Sequence, residues 1–184
     1  GVGNPLGLGE LLPGQTVLDL GSGAGMDSLL AARRAGTTGK VVGVDLCREM
    51  VEKARSNAET LGLRNVEFIE ADIENVPLPD GSVDGVLCRF AYMLMTDPAA
   101  ALAGTRRVLR PGGRVALAVW GPPERNLWLV AVRAALERRG LVPAPRPGEP
   151  SPFALDSGQR ILELLAGAGF AEARVEEVPV VIAY

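Results

Sequence analysis

The stretch that decides the fold is T-V-L-D-L-G-S-G-A-G-M-D-S-L-L, residues 16–30. The apolar run in residues 17–20 is typical of a short buried strand, and a helical pattern begins near Asp27. Glycines alternate with other residues across positions 21–25, where they allow unusual backbone angles and close approach of a ligand to the main chain. The stretch therefore predicts a strand, a glycine turn and a helix capped by Asp27 or Ser28, whose free N–H groups face a ligand.

The spacing of these glycines separates two classes of ligand. The dinucleotide fingerprint Gly-x-Gly-x-x-Gly needs a third glycine where this chain has Met26. The pattern D-L-G-S-G-A-G instead resembles motif I of the class I S-adenosylmethionine-dependent methyltransferases, in which the turn passes under the methionyl part of the cofactor. The resemblance implies that Asp19 orients the loop and the cofactor amino group. The other cofactor contacts that it implies in this turn are Gly21, Ser22, Gly23 and Gly25.

A second acidic position closes the next predicted strand, K-V-V-G-V-D, residues 40–45. A carboxylate at a strand end suits hydrogen bonds to both ribose hydroxyls of a nucleoside, which makes Asp45 a candidate cofactor residue. Leu46 would then offer an apolar surface to the adenine edge. The alternative is that Asp45 only caps the following helix.

A third acidic position follows a strand predicted at residues 66–70. Asp72 and Ile73 resemble the methyltransferase pattern in which a carboxylate accepts from the adenine amino group and its apolar neighbour covers the ring. The phrase R-V-L-R-P-G-G-R-V-A-L, residues 107–117, also resembles this family. The resemblance therefore covers most of the chain, with its motifs in order.

A fourth strand, predicted at residues 83–89, brings further side chains to the edge where open α/β sheets bind ligands. We expect Arg89 to reach the cofactor carboxylate or the substrate. Phe90 and Tyr92 either wall the methyl-transfer pocket or simply pack in the core. The chain has no histidine, the commonest general base, so Tyr92 or a carboxylate such as Glu124 is the candidate for that role.

The last third of the chain predicts a helix over 97–109, entered by Asp97 and Pro98, and then a fifth strand. Residues 121–158 are predicted to form a lid or substrate-facing insertion, which Trp120 and Trp128 either line or pack beneath. A final strand is predicted at 173–182. The antiparallel strand that normally follows in the resembled family is absent here.

These elements predict an α/β fold with a Rossmann-like, mainly parallel sheet and helices on both faces. We expect a single methyltransferase domain over residues 1–184, with 1–15 as an approach segment. Without the last antiparallel strand, either the chain is a fragment with an exposed sheet edge or a second copy covers that edge in a homodimer.

Composition excludes several classes of partner. A formal net charge of -3 argues against a nucleic-acid surface, which needs concentrated basic charge. No apolar run reaches the length of a membrane-spanning helix, and two cysteines favour a reducing compartment. We therefore expect a cytoplasmic protein with no nucleic-acid or membrane partner and no metal site.

The resemblance implies methyl transfer from S-adenosylmethionine to a small-molecule acceptor, with S-adenosylhomocysteine as the product. The first half of the chain resembles bacterial arsenite methyltransferases, and the part after position 83 resembles general small-molecule or quinone-type methyltransferases. An arsenite acceptor would need several converging thiolates, whereas Cys47 and Cys88 are separated by the first strand and are expected about 10 Å apart. A cofactor-binding module without catalysis is a second alternative, and a nicotinamide dehydrogenase is a third.

Overall fold

The computed structural model describes residues 11–143, 146 and 149–179, so most of the predicted approach segment lies outside the described residues. The strands are β1 (Thr16–Leu20), β2 (Lys40–Asp45), β3 (Val66–Glu70), β4 (Val83–Arg89) and β5 (Leu109–Ala118). The helices are α1 (Met26–Ala35), α2 (Arg48–Thr60), α3 (Pro98–Val108), α4 (Leu127–Arg138) and α5 (Gly158–Gly167), with short 3-10 turns at Tyr92–Leu94 and Pro123–Arg125. Within these described residues, no helix combines the length and the apolar character needed to cross a membrane.

The five strands form one sheet in the order β3-β2-β1-β4-β5, and every neighbouring pair is parallel. The chain moves outward from β1 to β3 and then returns to place β4 on the other side of β1. This reversal opens a crevice beyond the carboxyl ends of β1 and β4, which is where open α/β sheets bind ligands. The predicted Rossmann-like parallel sheet is confirmed.

Helices cover both faces of the sheet. Val17 on β1 packs with Ala31 of α1 on one face, while Leu18 packs on the other face in a cluster with Leu102 of α3 and Ile161 of α5. Burial on both faces explains why the central strands are nearly continuous apolar runs rather than alternating ones.

The predicted bounds of the inner elements are confirmed. The strands expected at 40–45, 66–70 and 83–89 coincide with β2, β3 and β4. Asp97 caps α3 as predicted, because its carboxylate accepts from the backbone amides of Ala99 and Ala100.

The final predicted strand is wrong where it can be compared. Residues 180–182 lie outside the described residues, and residues 173–179 form no strand and are exposed. Val175 instead packs beside the start of α5, where a Cβ on Gly158 would lie 3.3 Å from its Cγ1. An alternating sequence forms a strand only where a neighbouring strand pairs with it and a core buries one face, and this segment has neither among the described residues.

The central packing predicts a large effect of truncating Leu18, which is fully buried on β1. Leu18→Ala should lower the free energy of unfolding by about 2–5 kcal/mol, because a cavity remains at the centre of the sheet. Leu141 is 66% exposed and supplies the matched control, since Leu141→Ala should change the same quantity by less than about 0.5 kcal/mol. Urea unfolding followed by circular dichroism measures both, and equal losses would contradict the core assignment.

Candidate active site

The glycine turn between β1 and α1 is fixed to the neighbouring strand. The backbone amides of Gly21 and Ser22 both donate to the carbonyl of Val44 on β2, at 2.9 and 3.1 Å. The amide of Gly25 donates back to the carbonyl of Ser22 at 2.9 Å, which closes the turn before α1 begins. The main chain of the turn is therefore held against the sheet at the crevice.

The three glycines of this turn all have positive φ, but they serve different purposes. A Cβ on Gly21 would lie 2.6 Å from the Cβ of Ala91, and one on Gly25 would lie 2.9 Å from the Phe68 ring, so both positions allow close packing within the protein. A Cβ on Gly23 would meet no atom within 4 Å. Gly23 therefore faces open space, where the main chain is accessible to a ligand.

Asp45 lies directly beside this open position. One carboxylate oxygen accepts from the amide of Gly23 at 2.8 Å, and the other accepts from the amide of Cys47 at 2.9 Å. The second bond turns the chain ahead of α2, but α2 begins at its N-cap Cys47 without a side-chain cap, so the capping alternative is wrong. The cofactor role of Asp45 stays a prediction. A carboxylate has about four acceptor positions, so Asp45 retains capacity for ligand hydroxyls. The adjacent Leu46 side chain is 71% exposed at this edge.

Asp72 lies at the same edge of the sheet as Asp45. In the parallel register Asp45 pairs with Glu70, so Asp72 follows two residues beyond the carboxyl end of β3. Its exposed carboxylate accepts from the amide of Glu74 at 2.9 Å and from the Asn75 side chain at 3.0 Å, which fixes its orientation. Ile73 beside it is half-buried. The predicted pairs Asp45–Leu46 and Asp72–Ile73 therefore follow neighbouring strands.

Asp19 lies buried beneath the glycine turn. Its carboxylate accepts from the Ser28 hydroxyl at 2.6 Å, and the residue is 2% exposed. Burial raises the pKa of Asp19 to about 7, and the charge of the nearby Asp27 adds to this effect. In this structure the carboxylate supports α1 through Ser28, and its predicted contact with a cofactor amino group stays a prediction.

The predicted helix cap is wrong, because Gly25 in the left-handed conformation begins α1 without a side-chain cap. Asp27 instead accepts from Arg89 Nε at 2.6 Å, and the two side chains are only 10% and 18% exposed. This ion pair joins the start of α1 to the end of β4. The sequence contained both charges, but their 62-residue separation gave no signal that they meet. Contact of Arg89 with a cofactor carboxylate stays a prediction.

The structure contradicts the prediction of a catalytic Tyr92. Its side chain is fully buried, and its hydroxyl shares a hydrogen bond with Thr105 of α3. Burial raises the pKa of the Tyr92 hydroxyl far above its ordinary value, so deprotonation to a base is strongly disfavoured. Tyr92 is therefore a core residue, and Thr105 is a partner that sequence reasoning missed.

Phe90, directly after β4, is half-buried and packs against the core cluster that includes Leu18. It has a φ of 61° and stacks on Trp120, with ring centroids 4.4 Å apart and planes 9° from parallel. Trp128 meets Trp120 edge-on at 5.7 Å and is 41% exposed. We call Phe90, Trp120 and Trp128 the aromatic ladder.

The two cysteines do not converge on a common ligand. Cys47 follows β2 and is exposed, Cys88 lies on β4 and is buried, and β1 separates the two strands as predicted. Burial raises the pKa of the Cys88 thiol to about 12. Within the described part of the chain, no three histidine, cysteine, aspartate or glutamate side chains are placed to hold a metal ion.

Comparisons with known proteins place this geometry in a family context. Residues 11–125 match a family model described as a methyltransferase domain. Arsenite methyltransferase from Halobacterium salinarum is 46% identical over 117 residues, which cover 64% of this chain and 30% of that protein. The ubiquinone/menaquinone biosynthesis C-methyltransferase of Escherichia coli is 38% identical over 111 residues, which cover 60% of this chain and 44% of that protein.

A solved structure extends the similarity beyond the matched region. The crystal structure of a SAM dependent methyltransferase from Aquifex aeolicus is 29% identical with a TM-score of 0.72, and the match covers 95% of this chain and 84% of that one. By contrast, the matched region spans less than half of the length of the two curated relatives.

The raised pKa of Asp19 predicts a specific dependence of stability on pH. The Asp19 carboxyl has a pKa of about 7 in the folded state and near 3.8 in the unfolded state. Proton binding by Asp19 therefore stabilises the fold fully below pH 3.8, and this stabilisation is lost as the pH rises through about 7. From pH 5 to pH 8 the free energy of unfolding should fall by about 2–3 kcal/mol more in the wild type than in Asp19→Asn. Urea unfolding at both pH values measures the difference. The exposed Glu59→Gln should keep the wild-type slope, and an Asp19→Asn slope equal to wild type would contradict the assignment.

The different burial of the cysteines predicts selective labelling. Ellman's reagent at pH 8 should modify Cys47 alone in the native protein, because the Cys88 thiol is buried and its raised pKa of about 12 leaves almost no thiolate. The absorbance should therefore report one thiol in the native chain and two in guanidinium chloride. Native Cys47→Ser should give none. Two rapidly reacting thiols in the native wild type would show that Cys88 is accessible.

Proposed function

The chain belongs to the methyltransferase domain family, and from this membership we propose that it transfers a methyl group from S-adenosylmethionine to a small-molecule acceptor. The observation that carries the proposal is the bond from the amide of Gly23 to the Asp45 carboxylate at 2.8 Å, beside the open space that faces Gly23. A main-chain cradle and a carboxylate next to it are the two features that a nucleoside-containing ligand requires at this edge of the sheet.

The residues present fit the cofactor. The accessible main chain at Gly23 would carry its methionyl part, and Asp45 would accept from the ribose hydroxyls. Leu46 and Ile73 would cover the adenine, while Asp72 would accept from its amino group.

The Ser22 hydroxyl is buried with no hydrogen-bond partner among the described residues, and it lies in the same turn as Gly23. A polar group without a partner is costly, which supports a polar ligand group at this turn.

When bound, the cofactor would supply a methyl group activated by its sulfonium for transfer to an acceptor nucleophile placed in line with the carbon–sulfur bond, whose electron pair would remain on sulfur. The protein's own contribution is to position the two reactants and to exclude water. The bonds from the glycine turn to Val44 fix the floor of the site. The buried pair of Asp27 and Arg89 fixes the start of α1 relative to β4. Both contacts position the site without placing an acid or base beside the methyl group.

An acceptor that loses a proton needs a base, and the chain offers few. It has no histidine, and Tyr92 is buried with a raised pKa. Glu124 lies exposed in the 3-10 turn Pro123–Arg125, between the two tryptophans in sequence. Glu124 therefore stays the candidate base, within the segment 121–158 that we propose as the substrate-facing lid.

Two alternatives have specific observations for or against them. The similarity to an arsenite methyltransferase favours an arsenite acceptor. The separation of exposed Cys47 from buried Cys88 does not provide the converging thiolates that this acceptor needs. A binding module without catalysis would keep the cofactor residues and lack an accessible acceptor surface. Met26 at the third glycine position of the dinucleotide fingerprint argues against a dehydrogenase.

The remaining expectations stay proposals. The unpaired cysteines support a reducing, cytoplasmic location. Among the described residues no strand pairs with the outer edge of β5, which supports a second copy of the chain as its cover, although an outer segment of a longer protein would serve equally.

The cofactor assignment predicts the effect of removing the Asp45 carboxylate. Asp45→Ala should weaken binding of S-adenosylhomocysteine about 10–100-fold, because hydrogen bonds to a charged acceptor are lost. Glu67→Ala supplies the matched control near the amino end of β3, where Glu67 pairs with Lys40, and it should bind like wild type. Isothermal titration calorimetry measures S-adenosylmethionine, S-adenosylhomocysteine and NAD against all three proteins. Wild-type binding of NAD, or unchanged affinity in Asp45→Ala, would contradict the proposal.

A further inference from the structure

The aromatic ladder begins at the carboxyl ends of two neighbouring strands. Arg89 at the end of β4 pairs in register with Ala118 at the end of β5, so Phe90 and Trp120 both lie just beyond the sheet. The amide of Phe90 donates to the carbonyl of Ala118 at 2.8 Å, which continues the pairing for one residue. The stacked rings are therefore held by the sheet rather than by a loop alone.

Phe90 has a backbone conformation that bulky residues rarely adopt. Its φ of 61° lies in the left-handed region, and only one other non-glycine residue in the described chain, Glu172, has a positive φ. Such conformations persist where the surrounding structure enforces them, and they are enriched at ligand sites. Here the conformation accompanies a ring that stacks on Trp120.

The ladder starts next to the proposed cofactor turn. Strands β1 and β4 are adjacent, with Leu20 paired to Cys88. A Cβ on Gly21 would lie 2.6 Å from the Cβ of Ala91, so the turn touches the residue that follows Phe90. The main chain that carries the inner rung, Phe90, is therefore next to the glycine turn.

The outer rung is open to solvent. Trp128 is 41% exposed, and its neighbour Leu127 is 67% exposed at the start of α4. Leu94, in the short turn after Phe90, is 54% exposed. Phe90 and Trp120 pack against the core cluster that includes Leu18, so Trp128 is the rung that presents an aromatic surface to solvent.

From this geometry we propose that the aromatic ladder binds the methyl acceptor, and that the acceptor is a planar, uncharged ring compound. The inference rests on the proposed function, because it names the class of acceptor for that site. Flat aromatic faces bind planar rings by offset or edge-to-face stacking. Phe90 and Trp120 cover each other's inner faces at 4.4 Å, so the exposed Trp128 supplies the accessible aromatic surface. A single accessible ring suits one stacked planar compound better than a cation, which favours a cage of several ring faces.

The chain provides its own reporter for this test, because both of its tryptophans belong to the ladder. Indole emission excited at 295 nm is followed while 4-ethylphenol, 4-ethylcyclohexanol or tetramethylammonium chloride is added. The first two carry the same number of carbons and one hydroxyl each, and differ in having a planar or a saturated ring. Each titration is run with and without S-adenosylhomocysteine.

The proposal predicts that 4-ethylphenol binds roughly five-fold or more tightly than 4-ethylcyclohexanol. Trp128→Leu should abolish this preference, and Trp128→Phe should retain it because an aromatic face remains. Val132 lies one turn further along α4 and is 57% exposed, so Val132→Ala tests the general apolar surface and should keep the preference. All three variants should bind S-adenosylhomocysteine with wild-type affinity.

Equal affinity for the two alcohols, a preference that survives in Trp128→Leu, or stronger binding of tetramethylammonium would each overturn the proposal. These results are separable from the cofactor assignment. If S-adenosylhomocysteine binds and no ring preference is seen, the acceptor inference fails and the proposed function stands. If S-adenosylhomocysteine fails to bind, the proposed function fails while the ring preference is still measured in the titrations without it.

Discussion

The bond from the Gly23 amide to the Asp45 carboxylate joins the ends of the two strands on which the candidate site is built. It forms only because β2 lies directly beside β1, and because Gly21 and Ser22 hold the turn on the carbonyl of Val44. Parallel strands bring their carboxyl ends to one edge, so the same constraint adds Asp72 and Phe90 to that edge. The position of every candidate residue at the site depends on that strand order.

A second layer of polar contacts lies beneath the turn. Asp19 holds Ser28, and Asp27 holds Arg89, so the first turn of α1 is tied to both β1 and β4. Burying these groups is costly, and the raised pKa of Asp19 is a measure of that cost. Breaking either contact would remove a hydrogen bond from a carboxylate that has little access to water, since Asp19 and Asp27 are both buried, and such a loss is costly. The glycine turn is flexible by composition and is made rigid by its supports.

Sequence reasoning found the parts of this site that depend on local pattern. The β-branched run of 40–45 and the glycine spacing at 21–25 carry their own structural signals, and Asp45 and Asp72 are simply the acidic residues that end or follow strands. One error is local, since Gly25 in the left-handed conformation begins α1 where Asp27 or Ser28 was expected to cap it. Two other errors involve partners more distant in sequence. Tyr92 follows a strand as a site residue would, yet the short turn at Tyr92–Leu94 directs it into the core toward Thr105. The strand expected at 173–182 had a suitable pattern, but pairing depends on a neighbour that the pattern does not contain.

The most direct test of the account is a crystal structure of the protein with S-adenosylhomocysteine. We predict both ribose hydroxyls within about 2.5–3.0 Å of the Asp45 carboxylate, the adenine between Leu46 and Ile73, and the main chain of Gly23 against the ligand. The ligand bound elsewhere, with Asp45 still bonded only to the amides of Gly23 and Cys47, would contradict the central claim.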